Sequence, residues 1–205
     1  MKPLLLVGGG GHCLSCIDVI EAEGKWQIAG VIEQSGGPKE TILGYSVLGH
    51  DEILAELRKH HDYALVTVGQ IKNVEIRTRL FNRLKDLNFS LPIIVSPHAY
   101  VSKHSSLFEG SMIFHGAVVN AGASVGSNTF INSQALIEHD AIIGSDCHIA
   151  TGAKVNGGCV IGKQTFIGSG AVIHQDVQVG EKCIIEAGCI VRENVAPKTL
   201  LKRKE

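Results

Sequence analysis

Apolar and polar positions recur with two different periods along this chain. Over residues 1–95, short apolar runs alternate with helix-period stretches. Pro3–Gly8, Gln27–Glu33 and Tyr63–Gly69 read as strands. His12–Gly24, His50–His61 and Val74–Asn88 read as amphipathic helices, the first closed by glycine. Strand-helix alternation of this kind predicts a small Rossmann-like parallel sheet covered by helices, with ligands at the carboxyl ends of its strands. Beyond residue 95 the period becomes six. Val101, Leu107, Ile113, Val119, Val125, Ile131, Ile137, Ile143, Ile149, Val155, Ile161, Ile167, Ile173, Val179, Ile185 and Val191 form one unbroken aliphatic column. If about a quarter of positions were aliphatic by chance, such a run would arise on the order of once in 10⁹ trials. Neither a helix nor a hairpin sheet has that period, whereas a parallel β-helix does.

Other columns share the register. Four places after the aliphatic stand small residues: Ser111, Ala117, Ala123, Ala135, Ala141, Ala153 and Ala171, with Cys147, Cys159, Cys183 and Cys189 in the same column. These cysteines therefore read as small inward fillers. Gly126, Gly144, Gly162 and Gly180 recur every eighteen residues, as do Gly152, Gly170 and Gly188. Eighteen is three hexads, so one coil is a triangle, and about five coils at roughly 4.8 Å each would make the prism. Residues 192–205 are expected to cover its far end. The chain thus divides into a sheet domain, 1–95, and a β-helix domain, 96–205, with a short C-terminal tail.

Composition narrows the function classes. A formal net charge of -1 argues against nonspecific nucleic-acid binding. No run of eighteen apolar residues suggests a membrane span, and the short apolar N-terminus stops at glycines, so a cytoplasmic protein is expected. Cys13 and Cys16 are spaced C-x-x-C but stand alone, where a zinc set needs four ligands. Buried reduced thiols are the better reading, and no metal is expected.

The candidate chemistry lies in Phe130–Gly157, "FINSQALIEHDAIIGSDCHIATGAKVNG". His139 and Asp140 fall two and three places after inward Ile137, near a corner. His148 precedes inward Ile149 and should point outward. Half a coil separates the histidines, so a site using both is easiest to build between subunits, most simply in a homotrimer. The "GGGGH" turn, Gly8–His12, follows a strand and precedes a helix, where backbone amides can hold phosphate. It lacks the glycine that a dinucleotide fingerprint would place at Cys13, which favours a nucleotide-sugar diphosphate over NAD. A tight turn without a ligand is the plain alternative. His115 and His174 read as structural or exposed, and the basic tail of Lys198, Lys202, Arg203 and Lys204 as solvated or as a partner for coenzyme phosphates.

The unbroken hexads resemble the hexapeptide-repeat acyltransferases, whose fold is a left-handed parallel β-helix. "LLLVGGGGHC" joined to "LIEHDAIIGSDCHIATGAKVNGG" is similar, more specifically, to sugar acyltransferases of the PglD/NeuD type. That resemblance implies an acetyl-CoA-dependent N-acetyltransferase acting on a nucleotide-linked amino sugar of the 4-amino-4,6-dideoxy type. O-acetylation of sialic acid or a related sugar is the alternative. It implies His139 as general base, Asp140 as the carboxylate that orients it, and His148, Gly157 and Ser169 on the acetyl-CoA side. Asn132 would lie close to the sugar. Gly10, Gly11, His12 and Gly69 would lie at the nucleotide-sugar site, with Glu33 reading the base. The family's "G-x-PAK" ending is replaced here by "VAPKTLLKRKE".

Overall fold

The computed structural model describes residues 1–33, 40–71 and 73–203. Two compact units emerge: Met1–Gly69 with Glu75–Ile94, and Gln70–Val74 with Val95–Glu205. Gln70, Ile71, Asn73 and Val74, which precede the last helix of the first unit, thus group with the second.

The first unit is a five-stranded sheet. Its strands are β1 (Lys2–Val7), β2 (Trp26–Ile32), β3 (Thr41–Ile42), β4 (Tyr45–Gly49) and β5 (Tyr63–Val66), in the order β3-β4-β2-β1-β5. All pairings are parallel except β3 with β4. β1 is an interior strand, between β2 and β5, and is buried on both faces, which is why Leu4–Val7 is a continuous apolar run rather than an alternating one. Helix α1 (Gly11–Glu23) ends at Gly24 in the left-handed conformation, φ 68°, which lets its amide bond back to Ile20. Helix α3 (Glu75–Asp86) buries Leu80 and Leu84 in a core shared with Leu5, Val7, Ile32 and Val66.

Two elements differ from the sequence expectation. The helix expected over His50–His61 shrinks to a 3₁₀ turn, Asp51–Ile53, and a single α turn, α2 (Leu54–Leu57). Only Leu54 of that turn is buried, and so short a helix gains little from its apolar face. The β3–β4 hairpin was not expected. Its two-residue turn puts Leu43 at φ 47° and Gly44 at φ 84°, and leucine is an unusual residue for such a place.

The second unit is a parallel β-helix. Its two-residue strands stack into three sheets of six, five and seven strands. Within the hexad region every pairing joins residues eighteen apart, as in Val118 to Leu136 to Lys154. Each member of the sixteen-residue aliphatic column is the second residue of its strand. From Ile113 to Val191 these side chains are at most 3% exposed, and the alanine and cysteine column fills the space between them. The corners repeat too. Gly122, Asn128, Gln134, Asp140, Asp146, Gly152, Gly158, Gln164, Gly170 and Asp176 all adopt positive φ, six residues apart. All six cysteines are free and buried, and burial pushes the Cys13, Cys16, Cys159 and Cys189 thiols upward in pKa. The C-terminal segment extends the stack: Val195 bridges to Val179, and Leu200–Leu201 pairs with Ile184–Ile185. Among the described residues no helix is long and apolar enough to cross a membrane.

Candidate functional site

The candidate residues lie in two places, one in each unit. In the first, the chain moves from β1 to β2 and β4 on one side, then to β5 on the other, so the strand order reverses between β1 and β5. That is where open α/β sheets bind ligands. Gly10, Gly11 and His12 follow β1, Glu33 follows β2, and Gly69 lies beyond β5. The turn is tied down by Gly8 N–H to Ile32 O, 2.8 Å, and by the Thr67 hydroxyl to Gly8 O, 2.6 Å. Gly10 caps α1 with no side-chain hydrogen bond, and no acidic residue occupies the first helical turn. A side chain built on Gly10 or Gly11 would meet nothing within 4 Å. Helix amides facing open space without a side-chain cap suit a phosphate.

His12 and Gly69 meet beside that space: a Cβ on Gly69 would stand 3.0 Å from His12 Cβ. Burial, reinforced by the Arg77 guanidinium, holds the His12 pKa down at about 4. Its imidazole is therefore neutral at pH 7 and offers a hydrogen bond rather than charge. Arg77 itself is fully buried. The Glu33 carboxylate accepts from Gly9 N–H, while its backbone carbonyl accepts from His50 Nδ1 at 2.7 Å. Glu33 thus braces the glycine turn.

In the second unit, His139 stands on a corner with its side chain 59% exposed. Its Nδ1 lies 3.0 Å from Asp140 Oδ2. Side chains of adjacent residues normally diverge, but Asp140 sits at φ 59°, a left-handed corner that aspartate tolerates. The hydrogen bond to Asp140 raises the His139 pKa above its ordinary 6.5, and the charges of Asp140, Glu138 and Asp176 add to it. Glu138 is itself held by Asn120 Nδ2 at 2.9 Å. One coil on, Gly157 lies against the ring: a Cβ there would come within 2.6 Å of His139 Nε2. Sequence reasoning placed Gly157 along the coenzyme groove. The structure adds that its missing side chain makes room for the imidazole.

His148 points away from the prism core but is only 6% exposed. Phe130 and Phe166 stack edge-on against it at 5.7 and 5.5 Å. Its Nδ1 is 2.9 Å from the carbonyl oxygen of Gln70. A carbonyl only accepts, so Nδ1 carries the hydrogen, and the neutral ring leaves Nε2 as an acceptor. Asn132 Nδ2 lies 3.2 Å from that Nε2, and Asn132 Oδ1 accepts from Ser133 N–H at 2.7 Å. The Gln70 contact had no sequence signal, since 78 residues separate the partners. Ser169 is exposed, two coils beyond Ser133 on the same corner. A single chain therefore carries Asn132, His148 and Ser169 on one part of the triangle and His139, Asp140 and Gly157 on another. At the far end, Gly188–Ala196 with Thr199, Leu201, Lys202 and Arg203 line a cleft of about 680 Å³. Lys204 lies outside the described residues. Among the described residues no three His, Cys, Asp or Glu side chains group as a metal site.

Residues 3–84 match the PglD N-terminal domain model, and residues 122–157 and 158–193 match the bacterial transferase hexapeptide model. Comparison with curated proteins finds no match. Among solved structures, the chain is similar to perosamine N-acetyltransferase from Caulobacter crescentus in complex with CoA and GDP-perosamine. Identity is 27% over 98% of this chain and 94% of that one, with a TM-score of 0.91. Structures of that protein include variants with one histidine replaced by asparagine or alanine. The acetyltransferase domain of PglB from Neisseria gonorrhoeae, in complex with acetyl coenzyme A, is 26% identical over 98% of this chain and 96% of that one, with a TM-score of 0.89. WeeI from Acinetobacter baumannii, 19% identical with a TM-score of 0.73, shares the fold. The fold class is a parallel-sheet domain followed by a left-handed β-helix of hexapeptide repeats.

Proposed function

Because the chain belongs to the hexapeptide-repeat sugar acyltransferases of the PglD type, we propose that it transfers an acetyl group from acetyl-CoA to the amino group of a nucleotide-linked 4-amino-4,6-dideoxy sugar. The observation that carries this reading is the His139–Asp140 pair. It is a base exposed to an incoming acceptor, with one nitrogen held by a carboxylate and the other open beside a glycine.

The chemistry asks little more. The amine nitrogen attacks the thioester carbonyl carbon, the C–N bond forms and the C–S bond breaks. His139 Nε2 takes the proton the amine sheds and returns one to the departing thiolate. Asp140 fixes the tautomer and stabilises the imidazolium, and such a base contributes about 10²–10⁴-fold. Asn132 faces the sugar, its amide oriented by His148. The His148 ring has no second N–H to offer the thioester oxygen, so a backbone amide supplies that donor. Gly157 and Ser169 line the coenzyme path, and Lys202 and Arg203 provide cations for its phosphates. In the sheet unit, Gly10, Gly11 and His12 hold the diphosphate with Gly69 beside them, and Glu33 keeps the turn in shape.

A homotrimer completes the site, bringing His139 of one protomer against Asn132 and His148 of the next. Outward-facing Ile142 and Val160, paired on adjacent coils of one face, are 49% and 36% exposed on a single chain, an apolar patch that another copy would cover. The test mixes the protein with acetyl-CoA and a panel of nucleotide amino sugars and follows free thiol and acetylated product. His139→Ala should lower turnover at least about a hundredfold while sedimentation still reports a trimer. Undiminished turnover would remove the base assignment. Transfer to the hydroxyl of free sialic acid, with no nucleotide required, would replace the N-acetyl reading.

A further inference from the structure

The corner that carries His139 repeats on three consecutive coils as Glu138–Asp140, Asn156–Gly158 and His174–Asp176. Backbone bonds align them: Gly158 N–H reaches His139 O at 3.0 Å, and Asp176 N–H reaches Gly157 O at 3.0 Å. The middle coil bears no side chain at two successive positions, and the side chains of both neighbouring coils lean into that gap. From below, His139 Nε2 and Cε1 come within 2.6 and 2.7 Å of where a Gly157 Cβ would stand. From above, Asp176 Oδ1 occupies the place of a Gly158 Cβ. The column of left-handed corners explains the direction of the second lean. Asp140 leans the same way onto Gly122, and these two aspartates each stand over a glycine, Gly122 under Asp140 and Gly158 under Asp176, whereas Asp146 stands over Asn128 and accepts from its amide at 2.7 Å. Among the described residues no hydrogen bond or ion pair engages the exposed Asp176 carboxylate, so the stack does not need its charge.

Resting on the function proposed above, we propose that Asp176 is a positioning residue of the transfer site, whose carboxylate shares the level of the Gly157–Gly158 step with the open Nε2 of His139. Asp140 holds the Nδ1 side. Asp176 stands above the side on which the acceptor's proton arrives and stabilises the imidazolium formed there. The charged groups around the ring are then Glu138 on its own coil, Asp140 at hydrogen-bond distance, and Asp176 two coils on. All three favour the cation, and Asp176 supports the site without touching the reacting atoms.

The test is an NMR titration of the His139 ring, assigned by its loss in His139→Asn, in the wild type and in Asp176→Asn. Asparagine keeps the shape and tolerates the left-handed corner. The His139 pKa should fall by about 0.3–0.5 unit at low ionic strength, and the difference should vanish near ~1 M salt. Asp176→Glu should keep the wild-type titration. In turnover assays the acid limb of kcat/KM should move down by the same amount, with a plateau about two- to fivefold lower. An unchanged titration in Asp176→Asn overturns the proposal, as does an equal shift in Asp176→Glu. The titration needs no substrate, so its outcome stands apart from whether the wild type acetylates an amino sugar.

Discussion

His148 Nδ1 donates to the carbonyl oxygen of Gln70, a residue from the other half of the sequence, and this bond sets the orientation of Asn132. The link runs from carbonyl to imidazole to carboxamide, with one polarity throughout. Breaking it should be felt twice. His148→Ala removes a ring packed between two phenylalanines and strands the Gln70 carbonyl, a loss of about 2–4 kcal/mol in urea unfolding. It also frees the Asn132 amide, so the KM for the sugar acceptor should rise while the affinity for acetyl-CoA changes less. A ¹⁵N spectrum of the intact protein should show the Nδ1–H tautomer at neutral pH.

The pH dependence of His139 follows from its raised pKa. A histidine acts as a base only when unprotonated, so kcat/KM should fall as pH drops through a midpoint above 6.5, the ordinary histidine value. Asp140→Asn removes the largest cause of the rise and should shift that midpoint down. A pH–rate profile of the two proteins checks both statements.

His12 carries the opposite sign. Its pKa is about 4 in the folded chain against 6.5 when exposed, so the folded state binds fewer protons between those values. The stability this confers is fully present above pH 6.5 and is lost as pH falls through 4, about 3 kcal/mol in all. His12→Asn should flatten the decline of the urea midpoint over that window.

Ile142 and Ile143 are neighbours with opposite fates: one is 49% exposed, the other 1%. Ile143→Ala opens a cavity in the prism and should cost about 2–5 kcal/mol. Ile142→Asp leaves the coil intact. If the outer face is a subunit contact, it should lower the sedimenting mass from trimer to monomer without changing the circular dichroism of the coil.

The β-helix was legible because its periodicity is redundant. The same six-residue rule is written at Ile137, again at Ala141 and again at the Asp140 corner, so no single residue has to carry it. The β3–β4 hairpin had no such redundancy: its turn rests on Leu43, whose side chain gives no hint of positive φ. The helix over His50–His61 came out shorter than expected for a related reason, since an α turn with only Leu54 buried gains little from extension. At the candidate site, sequence singled out His139, Asp140 and His148, residues that stand out within a repetitive wall. It could not reveal that Gln70 reaches His148, because only the folded chain joins them. Nor could it place Gly157 against the imidazole one coil on, because one glycine among many in a glycine-rich repeat carries no label.

The constant offset of eighteen residues between paired strands makes the prism a ruler marked in whole turns. Excising eighteen residues beyond the His139 corner would shorten the stack by one division and return every later side chain to its own face. Excising seventeen would rotate all of them out of place. Descendants of such a chain can therefore change reach only in discrete steps, and the distance from the imidazole to the far end of the stack is an integer that selection can adjust without rebuilding the wall.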